Sequence, residues 1–307
     1  MDTKLFGRNQ PGGLFSVVDR ADFPEAAILW VGSGVTGAED GTGFGRNPDA
    51  PFATLVYALT QAAAGDTIMV LPAHTETLSS ASGAAILTLA LAGLRVIGLG
   101  GRTRKPAFLI DGHANNYVTI TGADTLLENC RFKSGHADVA KGFNVAAAGV
   151  TFRGCNFAEN TAAENFLVTI QTTAAGDDLL IEDNHFYGVT QATEGIELVG
   201  ACNRVTIRNN FISGLFSVSA ISAITNACLA QEIDNKRIYN ATTAGDDLAG
   251  AIDLVAASTG MVTNNLVYLG DDTDCLTAID AANCGRSGNY AANEFAEEAG
   301  VAAALAT

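Results

Sequence analysis

The chain of 307 residues is poor in several things at once: it has 6 prolines, 3 methionines, one tryptophan, 7% aromatics and 16% charged residues. So few charges against 48% hydrophobic residues exclude a disordered chain. Basic residues are the scarcer sign. Seventeen Lys and Arg against 33 Asp and Glu give a net −16, so neither nucleic acid nor an anionic membrane is expected as a partner. Long apolar runs are missing too. The longest, Ala84 to Leu94, falls short of the ~20 residues a membrane span needs and ends at Arg95. The start, Met1-Asp2-Thr3-Lys4-Leu5-Phe6-Gly7-Arg8, has no basic region leading into an apolar stretch, and the expectation is a chain that stays in the cytosol that makes it. With so few large rings the core is expected to be thin and built from small and branched residues. The six cysteines, at 130, 155, 202, 228, 275 and 284, show no C-x-x-C pair and no histidines at zinc spacing, and are expected as small buried hydrophobes in a reducing compartment.

What the chain has is a repeat. Leu127-Glu-Asn-Cys-Arg-Phe132, Phe152-Arg-Gly-Cys-Asn-Phe157, Ile181-Glu-Asp-Asn-His-Phe186, Ile207-Arg-Asn-Asn-Phe-Ile212, Ile233-Asp-Asn-Lys-Arg-Ile238 and Val262-Thr-Asn-Asn-Leu-Val267 share one pattern. First and sixth positions are apolar, the second is polar, and the third is Asn, Gly or Asp. Val96-Ile-Gly98 and Ser287-Gly-Asn289 extend the register more weakly, at a mean spacing of about 27 residues. Short β-branched units punctuated by bend residues are strands rather than helices. Each period also carries a second apolar run, as in Phe166–Ile170, Ile196–Val199, Ala220–Ile224, Ile252–Val255 and Leu276–Ile279. Two or three strands per period without an amphipathic helix predict an all-β fold: a right-handed single-stranded parallel β-helix, about 27 residues per coil, with short capping helices.

The third position explains itself as a bend near the left-handed region, where Gly is free and Asn or Asp is tolerated. Gly98, Asn129, Gly154, Asp183, Asn209, Asn235, Asn264 and Asn289 are assigned to it, and stacked Asn amides there are expected to hydrogen-bond between coils. The second position reads Glu128, Arg153, Glu182, Arg208, Asp234, Thr263, alternating in sign. Coils ~4.8 Å apart place each carboxylate between guanidinium groups, an exposed ladder that fixes register. The catalytic alternative makes Glu128 and Glu182, two coils apart, an inverting acid and base pair. Arg153 between them would hold both ionised, the wrong state for an acid.

Residues 28 to 78 carry Ile28-Leu-Trp-Val31, Asp40-Gly-Thr-Gly43, Pro51-Phe-Ala-Thr54-Leu, and Ala64-Gly-Asp66-Thr-Ile-Met-Val70-Leu-Pro72. This passage resembles the opening of right-handed parallel β-helix proteins of the pectin-lyase-like superfamily, in which a strand, a glycine loop, a P-F-x-T helix and a G-D-T-I-x-V strand cap the coil. It departs at Ala73-His74, where many relatives have Gly and then an aromatic, so a different first turn is expected. The superfamily holds lyases, hydrolases, adhesins and phage spikes alike, so the resemblance implies a fold and little chemistry. Hydrolase and calcium-lyase signatures are not matched: Gly112-His113 and Gly135-His136 are each followed by Ala.

Asp177-Asp178 and Asp246-Asp247 sit in near-identical Thr-Thr-Ala-Gly-Asp-Asp-Leu-type passages, which favours a loop rule, with calcium as the alternative because paired carboxylates are hard oxygen ligands. Asp271, Asp272 and Asp274 form a similar acidic loop. His74, His113, His136 and His185 read as lone satisfied histidines, and Arg102-Thr-Arg104-Lys105 as a solvated turn. No residue is assigned a catalytic, cofactor-binding or metal-ligating role. The expected organisation is an attachment arm over 1–27, the β-helix with its N-terminal cap over 28–292, and a C-terminal cap or tail over 293–307. The favoured function is a non-catalytic structural protein of a tailed-bacteriophage virion, a capsid decoration or spike. It would be a homotrimer, made in the host cytoplasm and attached to other virion proteins such as the capsid through the arm. The alternative is a secreted-type carbohydrate-active β-helix enzyme, a polysaccharide lyase or glycoside hydrolase, against which stands a shortage of exposed Trp and Tyr for sugars to stack on. An ice-binding or adhesive coil would want a regular exposed Thr face.

Overall fold

The computed structural model describes residues 27–241, 250–270 and 278–293. The arm, Asp246-Asp247, Asp271, Asp272, Asp274, Cys275 and the tail beyond 293 lie outside the described residues. Within them the chain winds as a right-handed parallel β-helix of about 26 residues per turn. All 23 strand pairings are parallel, and one ten-stranded sheet stacks Ile28–Val31, Thr67–Val70, Arg95–Gly98, Leu126–Glu128 and their successors to Cys284–Ser287. The short strand at the start of each coil bends sharply into a second sheet. There the two 13-residue strands His185–Glu197 and Phe211–Ala223 turn through two faces and join them.

The first-position column is one continuous stack. Leu29, Ile68, Val96, Leu127, Phe152, Ile181, Ile207, Ile233 and Val262 are neighbours in register and essentially inaccessible. Each buried aliphatic contributes about 1.5–3 kcal/mol of transfer free energy. The column ends at Arg286, paired with Val262, so the last coil is displaced one residue from the sequence expectation, with Ser287 in the second position. The sixth-position column, Phe132, Phe157, Phe186, Ile212, Ile238 and Val267, lines the second sheet.

The core is not uniformly thin. Phe108, Phe132, Phe157 and Phe186 stack at centroid separations of 4.7–5.9 Å, and Phe143 and Phe152 meet them edge-on. The scarce rings are concentrated in the early coils, and the later ones use Ile, Val and Ala.

The cap follows the resemblance closely. Ile28–Val31 pairs with Thr67–Val70, and a helix over Leu55–Gln61 starts at Thr54, whose hydroxyl accepts from Tyr57 N. The first turn keeps the left-handed conformation that glycine favours even though Ala73 occupies it at φ 62°. His74 fills the following position as a buried ring, 5.4 Å from Phe108. Ala73 therefore bears backbone strain at this turn.

Candidate functional site

The bend between the sheets separates two roles that the sequence pattern had merged. Asn129, Gly154, Asp183, Asn209 and Asn264 do sit in the left-handed region at φ 54–60°. Gly98, Asn235 and Asn289 do not. A Cβ at Gly98 would collide with the Asn129 carbonyl oxygen, and in the last coil the bend falls on Gly288 at φ 66°. The amide ladder lies inside the corner, one residue further on in every coil but that of Asn235. Asn184, Asn210, Asn235, Asn265 and Asn289 are buried, and each Oδ1 accepts the main-chain N–H of the previous coil's corner residue, at 2.8–3.2 Å. The Nδ2 groups of Asn184, Asn210, Asn265 and Asn289 donate to the carbonyls of Phe152, Ile181, Ile233 and Val262. In the earlier coils the corner is Cys130 and Cys155, fully buried. Burial pushes both thiols up, that of Cys155 to about 12, so these are inert fillers. The five cysteines in described segments are all free and buried, as expected.

The polar ladder is real in register and narrower in extent. Glu128, Arg153, Glu182, Arg208 and Asp234 are successive partners. Only Glu182 sits between two guanidiniums, Arg153 Nε at 2.6 Å and Arg208 Nη2 at 2.8 Å. It is buried, not exposed as the pattern predicts. Burial alone would raise its carboxyl, but the hydrogen bonds and charges of Arg208 and Arg153 outweigh that and hold it below the ordinary range. Glu128 has Ile97 on its other side, which leaves a single guanidinium neighbour in register. Held as an anion between two guanidiniums, Glu182 cannot serve as the acid of a pair with Glu128, and both of its carboxylate oxygens are already engaged by Arg153 and Arg208.

The remaining candidates fall into structural duties. Asp177 and Asp178 face Arg204, at 3.3 and 2.6 Å, and Asp177 also accepts from Asn203 N. One guanidinium meets the two carboxylates. His74 Nδ1 accepts from Ser33 N, which requires the proton on Nε2, where it is donated to Glu76. His113 Nδ1 accepts from Asn115 N, His136 Nδ1 lies 2.7 Å from Ala137 O, and His185 packs on Phe211. Burial, then the charges of Lys105, Lys236 and Arg237, lowers His185 and keeps it neutral near pH 7. Lys105 is more than a solvated turn. Its Nζ spans two coils to Gly154 O at 2.6 Å and Asn156 Oδ1 at 3.0 Å, and burial lowers its ammonium below the ordinary lysine value.

The surface that sequence reasoning missed is the outer face of the second sheet beyond this corner. One outward column reads Arg131, Asn156, His185, Phe211, Arg237, and the next reads Lys133, Ala158, Tyr187, Ser213, Tyr239, Tyr268, Ala292. Tyr187, Tyr268 and Tyr290 are 61%, 38% and 57% exposed, and Leu266 beside Tyr290 is exposed as well. Exposed tyrosines are therefore present on this face, with Tyr239 and Tyr268 adjacent, Tyr187 two coils before Tyr239 and Tyr290 in the neighbouring column, which removes the argument from their shortage. At the N-terminal end of this face an open groove of about 410 Å³ is lined by Glu76, Lys105, Arg131, Lys133 and Asn160 among others. Lys236 and Arg237 approach the Phe211 ring at 5.7 and 5.6 Å. On a chain of net charge −16, Lys105, Arg131, Lys133 and Arg237 are spread along one side over several coils, and Lys236 beside Arg237 is paired with Asp183 at 3.1 Å. The signal was in the sequence one residue past the six-residue pattern, where Lys133, Tyr187, Tyr239 and Tyr268 directly follow the sixth position.

No protein-family profile matches the chain, and no curated protein matches it in sequence. A solved rhamnogalacturonan lyase is similar in fold at 14% identity and a TM-score of 0.46, with 80% of this chain and 69% of that one aligned. A likeness this distant carries no reaction and no substrate to this chain.

Proposed function

We propose that the chain is a rigid, non-catalytic structural component of a larger assembly, and more narrowly a capsid decoration or spike of a tailed-bacteriophage virion attached through residues 1–27. The observation that supports a rod-like structural role is the number of independent ladders tying coil to coil. The apolar column from Leu29 to Val262, the buried amides from Asn184 to Asn289, and the Arg153–Glu182–Arg208 clamp run along one axis. The virion assignment rests on the resemblance of the opening passage and repeats to a superfamily that includes phage spikes. Deleting residues 1–27 is expected to leave the far-UV spectrum intact and to abolish incorporation into assembled particles. Undiminished incorporation of the truncated chain refutes attachment through the arm.

The carbohydrate-active alternative is favoured by one observation, the exposed tyrosines on the same face as lysines and arginines. A screen of purified protein against acidic and neutral polysaccharides, read by new reducing ends, decides between them. Sugar release lost on substituting Lys133 or Tyr187 would establish the enzyme instead.

A further inference from the structure

The opposite wing of the second sheet carries the opposite chemistry. Its outward column reads Gln171, Glu197, Ser222, Asp253, Asp280 in direct register. Asp253 and Asp280 stand as like charges one coil apart, ~4.8 Å along the axis. Gln171 Nε2 donates to Glu197 Oε2, and the buried Ser222 hydroxyl has no hydrogen-bond partner. Among the described ion pairs none involves Glu197, Asp253 or Asp280. Both wings belong to one solenoid and share one axial repeat, so their columns match in pitch. They match in height as well. The coil that presents Tyr187 on the basic face presents Glu197 on the acidic one. The coil with Arg237 and Tyr239 carries Asp253, and the coil with Tyr268 carries Asp280.

We propose that these two faces are the two halves of one interface between copies of this chain, the tyrosine and arginine face of one copy against the carboxylate column of the next, with the β-helix axes parallel. The occupant is fixed by complementarity on three grounds. The tyrosines offer apolar area with hydroxyl donors, the facing column offers carboxylates at Glu197, Asp253 and Asp280, on either side of the buried Ser222, that form no ion pair among the described residues, and only a partner with the same coil spacing can satisfy several levels at once. A contact between two different faces is heterologous, and with parallel axes it closes into a ring where the angle between the faces divides a full turn and otherwise extends as an open array. The interface deepens the structural reading and rests on it.

The test uses the full chain. Sedimentation equilibrium of the wild type is expected to give a whole-number multiple of the 31.6 kDa protomer. Arg237→Asp and Asp253→Arg should each raise the dissociation constant by about a hundredfold with an unchanged far-UV spectrum. Combining both changes in one chain restores the pair across every contact and should restore the oligomer, which a misfolded variant cannot do. A wild-type oligomer insensitive to either reversal overturns this interface and leaves the structural reading standing. A monomer that binds an acidic polysaccharide without cleaving it overturns the interface alone. A monomer that cleaves the polysaccharide overturns both.

Discussion

Asn209 and Asn210 are adjacent, identical in type, and given opposite tasks, so the same substitution at each separates the bend from the ladder. Asn210 Nδ2 donates to Ile181 O and Asn235 Oδ1, both at 2.9 Å, and its Oδ1 accepts from Asn184 N at 2.9 Å and Asn184 Nδ2 at 3.1 Å. Leucine is close to asparagine in volume and replaces none of these bonds. Asn184 Nδ2 keeps Phe152 O, and Asn235 Oδ1 keeps the main-chain N–H of residue 210. The main-chain N–H of Asn184 is left buried without its acceptor, and the Ile181 carbonyl loses a donor. Two groups at about 1–3 kcal/mol each, less about 1.5–3 kcal/mol for a buried leucine, put the cost of Asn210→Leu at about 2 kcal/mol. Asn209 sits at φ 59°, where an ordinary side chain costs about 1–2 kcal/mol and asparagine already bears part of that. Asn209→Leu should therefore cost about 1 kcal/mol or less. Urea titrations followed by far-UV circular dichroism give the two losses. Hydrogen exchange adds a local readout, because only Asn210→Leu should speed exchange at the amide of Asn184. Equal losses at the two positions, or a larger loss at 209, would refute the division of labour.

Ala73→Gly should raise stability by about 1 kcal/mol, since it removes the Cβ from a left-handed position; a lower urea midpoint would mean that strain is not what Ala73 bears. Glu182 is held below its unfolded value, so its contribution is present above the unfolded value near pH 4.3 and lost as pH falls through the folded one. Glu182→Gln should remove that acid-side slope, and an unchanged pH–stability profile would show that the clamp is not coupled to folding. Iodoacetamide should leave Cys130, Cys155, Cys202, Cys228 and Cys284 unmodified in the native protein and label them only after denaturation. Native labelling of Cys130 or Cys155 would place that corner nearer solvent than the stacked coils allow.

The first and sixth columns were legible because side-chain direction alternates along a strand and the coil length repeats, so each apolar position has one neighbour above and one below. The bend was legible as a residue class but not as a position. Asn, Gly and Asp serve both a left-handed turn and a buried amide ladder, and in the pairs Asn209-Asn210 and Asn264-Asn265 nothing in the sequence says which residue does which. Asn235 shows the cost of that ambiguity. It stands third in its segment like the bend residues, yet its Oδ1 receives the Asn210 amide and its own N–H goes to Asn265. The charge ladder was read correctly in sign and register. Its burial at Glu182 was not, because accessibility depends on how far Arg153 and Arg208 fold back over the carboxylate. The basic and aromatic face escaped notice because its residues are scattered through the chain and come to one side only when successive coils stack.

A solenoid turns every lateral position into a column, and a column of one charge sign repels itself at each ~4.8 Å step unless something intervenes. The first sheet resolves this internally by alternating Glu and Arg. The column through Glu197, Asp253 and Asp280 does not alternate. Burial, followed by the charge of Asp280, pushes the Asp253 carboxyl above its ordinary value. A carboxyl raised by folding costs stability when ionised. The contribution of Asp253 to the isolated chain is therefore least unfavourable below the unfolded value near 3.9 and costs stability as pH rises through the folded value, opposite in sign to that of Glu182. Asp253→Asn removes that charge, so it should stabilise the protomer at neutral pH, more at low salt than at high, while weakening the association for which the column supplies acceptors. Thermal melts at two ionic strengths and sedimentation of the same variant measure both effects. A variant that is less stable as a protomer, or that associates as tightly as the wild type, would show that the carboxylate column is held for some other reason than contact with the next copy.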